Sequence, residues 1–211
     1  MLHRTWISLS FLTIAIIVAG CGDKPTTSKT TPAQPGDSTL GTLAGTAESA
    51  PANTTTQDLG TISVMVPAGW NIERPTSMMR KAQYRLPRAD GDTNDADLRV
   101  FHFGPNQGGS TEENLARWYG QFHQAESSPA TVANITVAGM DATIVDVSGT
   151  YVARITPMSA RRYNEPNYRM LAAIVETPDG SYFFKAVGPE KTIAQWADSF
   201  DDYVKSVRFN E

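Results

Sequence analysis

The sequence predicts an α+β domain in which two amphipathic helices pack against an antiparallel sheet. Several short segments alternate apolar and polar residues, which is the spacing of a half-buried strand. Two other segments place apolar residues three or four positions apart, which is the spacing of a helix with one buried face. Elements of both kinds share one core when the helices lie against the sheet, so we expect a single layered domain over residues 57–211.

The predicted strands fall before and after the first helix. The first covers residues 59–66, where apolar side chains occupy every second position from Ile62 to Val66. Two more are expected over residues 78–86 and 98–103. Two hairpins are also predicted, because each consists of two apolar segments joined by a short turn-forming segment. The first pairs residues 132–137 with 142–147, and the second pairs residues 170–175 with 182–187.

Both predicted helices carry a start signal. Ser110 with Glu113 three residues later matches a capping box, so the first helix is expected to begin there. Its apolar face consists of Leu115, Trp118, Tyr119 and Phe122. Pro189 suits the first turn of the second helix. The longer apolar stripe of that helix runs through Ile193, Trp196, Ala197, Phe200, Val204 and Val207.

The order of these elements is three strands, a helix, about four strands and a helix. This order, with Val66-Pro-Ala-Gly-Trp70 after the first strand and Trp196 and Phe200 in the last helix, resembles the PsbP-like α/β/α sandwich. The segments 90–104 and 168–180 also carry the likeness, and the whole chain is similar to a group of uncharacterised bacterial lipoproteins. The resemblance implies a binding or assembly module of unknown partner and does not imply catalysis.

The first twenty residues have the layout of an export signal. Arg4 precedes an apolar run over residues 6–18, which is shorter than a membrane span. Val18-Ala19-Gly20-Cys21 follows and resembles the lipobox of bacterial lipoproteins. The resemblance implies that residues 1–20 are removed and that Cys21 receives a diacylglycerol and then a further acyl chain such as palmitate. Two or more chains anchor a protein stably, so we expect a lipid-anchored protein of the cell envelope.

Residues 21–56 are predicted to be a disordered tether. Thr, Ser, Pro, Ala and Gly dominate this stretch, and it contains no aromatic residue. Such a composition buries too little apolar surface to offset the entropy of ordering. Gly22 follows the cysteine, where an aspartate would resemble an inner-membrane retention signal. We therefore expect the anchor in the outer membrane, with the periplasmic face of another membrane as the alternative.

Composition excludes several classes of function. The net charge is −4, so no large basic field attracts nucleic acid. Cys21 is the single cysteine, which leaves the domain without a thiol nucleophile, a disulfide or a thiolate ligand. No motif implies a cofactor, and no carboxylate spacing selects an acid–base pair.

The acidic turn over residues 90–97 is the one candidate metal site. Asp90, Asp92 and Asn94 match the first three ligand positions of an EF-hand loop. The match fails at Asp95, where that loop requires glycine, and at Phe101, where it requires glutamate. We therefore interpret the turn as a solvated hairpin tip, with weak calcium binding as the alternative.

The histidines offer little chemistry by themselves. His102 lies in a predicted strand and is interpreted as structural, although an envelope hydrolase that uses it with an acidic residue stays open. His123 is expected to close the first helix, where a cation suits the helix dipole.

The connection between residues 151 and 168 is the candidate binding surface. It carries arginine and tyrosine, which are common binding anchors, in a long segment between strands. The candidate residues are Arg154, Arg161, Arg162, Tyr163 and Tyr168. We expect a non-catalytic module that binds an envelope protein through this segment. The alternative for the segment is a variable loop without a binding role, and the alternative function for the domain is a small-molecule or metal sensor.

Overall fold

The computed structural model describes residues 54–125 and 128–210. Cys21, the predicted signal and most of the predicted tether lie outside these residues. Thr55 and Thr56, at the end of the predicted tether, pair with Val66 and Met65 in a sheet. None of the described helices is long and apolar enough to cross a membrane.

The described residues form strands and helices in an α+β order, as the sequence predicts. In chain order they are β1 (Thr55–Asp58), β2 (Ile62–Val66), β3 (Asn71–Glu73), β4 (Arg80–Leu86), β5 (Ala96–His102), α1 (Thr111–Tyr119), β6 (Phe122–His123), β7 (Thr131–Val137), β8 (Met140–Tyr151), β9 (Glu165–Thr177), β10 (Gly180–Pro189), α2 (Glu190–Gln195), α3 (Ala197–Lys205) and β11 (Arg208–Phe209).

An antiparallel sheet of eight strands dominates the domain. Its order is β3-β4-β5-β10-β9-β8-β6, and β7 pairs with β8 beside this path. Both predicted hairpins are confirmed, because β7 pairs with β8 and β9 pairs with β10. A second, smaller sheet has the order β1-β2-β11.

The helices differ from the prediction in number and length. The Ser110–Glu113 capping box is present, but α1 ends at Tyr119, so Phe122 and His123 belong to a strand instead of the helix. The expected final helix is two helices, because Trp196 leaves the helical path with φ −103° and ψ 8°. Its indole Nε1 donates to the Pro87 carbonyl oxygen at 2.8 Å, a bond that fixes the break against the turn after β4.

Two hydrophobic clusters occupy opposite faces of the large sheet. On one face, which we call the α3 face, Tyr84, Phe184 and Tyr203 are fully buried and meet edge to face. On the other face, which we call the α1 face, Trp118 packs with the cluster that contains Met170. Because α1 is only nine residues long, it covers part of its face and leaves polar side chains of the central strands accessible.

Candidate functional site

A pocket with a volume of about 620 Å³ opens on the α1 face. Strands β5, β8, β9 and β10 contribute its floor, α1 forms one wall, and the connection between β8 and β9 forms the opposite wall. This volume lies within the range of roughly 300–1,000 Å³ that is typical of small-molecule sites.

Two cations lie directly opposite each other on the pocket floor. Lys185 of β10 pairs in register with Arg99 of β5 on one side and with Ala172 of β9 on the other. Paired residues of antiparallel strands project from the same face, and like charges in that position destabilise a sheet. The arrangement therefore opposes folding when both groups are charged.

The Lys185 amine is held in surroundings that disfavour its charge. Burial, together with the nearby Arg99 and Arg117 guanidiniums, lowers the pKa of Lys185 to about 7. The amine donates a hydrogen bond to the Gln121 side-chain oxygen. Among the ion pairs formed within the described residues, none includes Lys185.

A buried asparagine holds Arg117 in place. The Asn114 side-chain oxygen accepts a hydrogen bond from Arg117 Nη2 at 2.8 Å. Its nitrogen donates to the carbonyl oxygens of Gly108, at 2.9 Å, and Ser110, at 2.8 Å. Asn114 is 4% exposed, so these bonds satisfy a buried amide and orient the guanidinium at the pocket wall at the same time.

Arg99 has a carboxylate partner, in contrast to Lys185. It forms an ion pair with Asp97, two residues earlier on the same face of β5. Burial raises the pKa of Asp97, and the neighbouring Arg99 offsets part of that rise.

Aromatic rings line the side of the pocket next to the β8–β9 connection. Tyr151 lies 5.3 Å from Tyr163 and 6.1 Å from Tyr168 between ring centroids, and the second pair is stacked. Burial raises the pKa of Tyr151 to about 12, so its hydroxyl keeps its proton at neutral pH. Asn94 donates to the Tyr168 hydroxyl at 3.2 Å. Phe101 and Phe183 line the pocket as well, so it offers an apolar, aromatic volume beside its cations.

The structure brings some of the predicted binding residues together and separates others. Arg154, Tyr163 and Tyr168 line the pocket. Arg161 and Arg162 are exposed and lie outside its lining. Arg162 instead donates to the Val152 carbonyl oxygen at 3.0 Å and supports the shape of the connection.

The polar side chains of the acidic turn do not point towards a common metal site. Asp92 Oδ2 accepts from the backbone nitrogen of Thr192 at 2.9 Å and from its hydroxyl at 2.6 Å, so it caps the first turn of α2. Asp90 is exposed, and Asn94 turns to Tyr168. Across residues 54–125 and 128–210, no three His, Cys, Asp or Glu side chains are grouped to hold a metal ion.

His102 is held by structural contacts. Its Nε2 donates to the Asp179 carbonyl oxygen at 3.0 Å, and its ring stacks on Tyr182 at 4.2 Å between centroids. His102 is not among the residues that line the pocket. Its position therefore gives no support to a hydrolase that uses this imidazole with a carboxylate.

Sequence reasoning missed the cationic side of the site, which consists of Lys185, Arg99 and Arg117. One signal was available, because Lys185 is a lone charge in the otherwise apolar run from Tyr182 to Val187. A charge in such a run is expensive unless it is paired or functional.

No protein-family model matches the chain, and no curated protein matches it. A Pseudomonas aeruginosa protein of unknown function is similar in structure, with 10% identity, a TM-score of 0.42, and coverage of 76% of this chain and 99% of that one. A Bacteroides thetaiotaomicron protein has 10% identity, a TM-score of 0.43, and coverage of 77% and 50%. The cyanobacterial PsbP protein of Synechocystis, CyanoP, has 10% identity, a TM-score of 0.45, and coverage of 81% and 99%. A PsbP-like protein is thus among the similar structures. At this low sequence identity and TM-score, the similarity assigns no activity or partner to this chain.

Proposed function

We propose that this chain is a lipid-anchored binding protein of the cell envelope whose domain holds a small organic anion in the pocket around Lys185. The observation that carries the proposal is the Lys185 amine on the pocket floor, next to Arg99 and Arg117 and without an ion pair of its own among the described residues. An anion bound there supplies negative charge to Arg117 and to the protonated form of Lys185. The domain acts by binding, and its pocket replaces the exposed arginines as the main recognition surface.

The ligand combines a negative group with an apolar body. The anion faces Lys185 and Arg117, while the rings of Tyr151 and Phe183 accept the apolar part. Small-molecule pockets are lined mainly by apolar and aromatic side chains, and a few polar groups fix the orientation of the ligand. Aromatic carboxylates of modest size meet both requirements.

The anchor is the second part of the proposal. A lipidated Cys21 and the spacer after it would hold the binding domain near a membrane surface. Mass spectrometry of the N-terminal peptide of the native protein tests this part. We expect it to begin at Cys21 with acyl chains attached, and a peptide that begins at Met1 without lipid refutes it.

Thermal unfolding of the full chain in detergent, with and without benzoate, phenylacetate and 4-hydroxybenzoate, tests the pocket. A ligand at 100 times its Kd adds about 2.7 kcal/mol, which raises the Tm of a domain of this size by about 5 to 10 °C. We expect Lys185→Met to lose the shift and the exposed Lys191→Met to keep it. Absence of a shift with all three acids refutes the proposed ligand class.

A protein partner at the β8–β9 connection is the second candidate function. Met158 is 95% exposed and Ile155 is 38% exposed at this connection, close to the exposed Arg161. Methionine and arginine are enriched in protein–protein interfaces relative to the rest of the surface. Photo-cross-linking from position 158 in intact cells, with position 191 as control, tests this candidate. A specific product at 158 is expected, and identical patterns at the two positions refute it.

A further inference from the structure

We infer that the Lys185 amine binds its ligand covalently, as a reversible imine with a 2-oxo acid whose carboxylate lies against Arg117. The inference rests on the proposed function, because it names the chemical class of the anion in the same pocket.

The placement of the amine is the first reason. Lys185 projects from the central strand β10 onto the pocket floor, so a ligand that enters the pocket meets its amine. Arg99 lies on the neighbouring strand, directly opposite, and Arg117 approaches from α1. In a 2-oxo acid the ketone carbon is bonded directly to the carboxylate. When that carbon faces the Lys185 amine, the carboxylate therefore lies near the neighbouring guanidinium groups.

The chemistry of the amine is the second reason. A lysine becomes a nucleophile at neutral pH when it is desolvated or placed beside another cation, and Lys185 meets both conditions. At pH 7 the neutral fraction of such an amine is on the order of a thousand times that of an exposed lysine.

The step balances without any further reactant. The neutral amine attacks the carbonyl carbon, a C–N bond forms as the C=O π bond breaks, and a proton passes from the nitrogen to the oxygen to give a neutral carbinolamine. Loss of water then breaks the C–O bond and leaves the C=N bond of the imine. Tyr151 and Asp97 line the same pocket and offer positions for the protons that move. Hydrolysis runs the same steps backwards, so the binding is reversible.

The remaining charged groups of the pocket do not neutralise the amine by ion pairing. Asp97 pairs with Arg99, and Asp95 lies 3.8 Å from Arg88. The lining also holds Glu165 and Arg154, but the ion pairs formed within the described residues do not connect either of them to Lys185.

Reductive trapping tests the inference. The full chain in detergent is incubated at pH 7 with phenylpyruvate and sodium cyanoborohydride, digested, and mapped by mass spectrometry. We expect an adduct with the mass of one phenylpyruvate less one oxygen atom on Lys185, in at least about tenfold excess over exposed lysines such as Lys191. The adduct is lost in Lys185→Met, whose fold is checked by circular dichroism, and is kept in Lys191→Met.

Phenyllactate separates this inference from the proposed function, because it has the same carboxylate and ring but a hydroxyl group in place of the ketone carbonyl. Calorimetry with both acids shows whether the pocket binds the anion at all. If both acids bind and Lys185 is labelled no more than Lys191, the imine is refuted and the binding function stands. If neither acid binds and no adduct forms, the imine is refuted together with the organic-anion site.

Discussion

Replacement of Lys185 by methionine is expected to change how the stability of the domain depends on pH. Methionine is close to lysine in length, removes the charge, and suits the aromatic surroundings of the pocket. It also removes the like-charge repulsion between Lys185 and Arg99, which are cross-strand partners. The variant therefore isolates the cost of keeping an ammonium group at this position.

The magnitude follows from the pKa of the amine. Burial and the neighbouring Arg99 and Arg117 guanidiniums lower the pKa of Lys185 from 10.5 to about 7. The unfolded chain consequently binds more protons than the folded chain between these two pH values, so the free energy of unfolding rises with pH across that window. From about pH 6 to about pH 9 the expected gain from this one group is about 2.5 kcal/mol.

Urea unfolding of the full chain at both pH values measures this gain. Wild type minus Lys185→Met gives the contribution of the amine, and Lys191→Met serves as the matched control. Tyr84 and Tyr151, whose pKa values burial raises to about 12, stay protonated in the folded chain over this range. A difference between wild type and Lys185→Met that is the same at both pH values refutes the desolvated amine.

Three further substitutions test the supports of the fold and the site by urea unfolding. Gly108→Ala should lose about 1–3 kcal/mol, because Gly108 has φ +89° and a Cβ there would lie 2.9 Å from atoms of two phenylalanine rings; a loss below about 0.5 kcal/mol contradicts this. Tyr203→Phe removes the 2.9 Å hydrogen bond from Tyr203 to the Tyr84 hydroxyl and should cost about 1 kcal/mol, so unchanged stability contradicts a role for this bond. Asp92→Ala uncaps α2 and should cost about 1–2 kcal/mol, and an equal loss from the exposed Asp90→Ala would show that the cap is not the cause.

Local patterns were sufficient to predict most of the sheet and the start of one helix. The capping box at Ser110 depends on residues three positions apart, and the hairpins depend on short turns, so both signals are contained in a short window of sequence. The break at Trp196 was missed for the opposite reason. It depends on a hydrogen bond to Pro87, more than a hundred positions away, while the apolar stripe continues through the break without interruption.

The pocket residues were only partly predictable, because some of them are brought together by contacts between distant parts of the sequence. Arginine and tyrosine in a long connection pointed to Arg154, Tyr163 and Tyr168, which do line the pocket. Spacing cannot show that Lys185 lies opposite Arg99, because that contact depends on the register between β10 and β5. The two residues are far apart in the sequence, and neither belongs to a motif.

Gly149 is a backbone position that shapes the pocket and that residue spacing in the sequence does not reveal. A Cβ on Gly149 would lie 2.4 Å from the carbonyl oxygen of His123, so only glycine lets β6 lie this close to β8. That approach pairs Phe122 with Tyr151, just after the register of β8 and β9 shifts between Gly149 and Tyr151. The shift carries Tyr151 to the pocket wall, where it stacks with Tyr168. The aromatic wall thus depends on a glycine that does not line the pocket, and the cationic floor depends on strand register. The residues that line this pocket are therefore specified by the topology of the domain more than by any local motif.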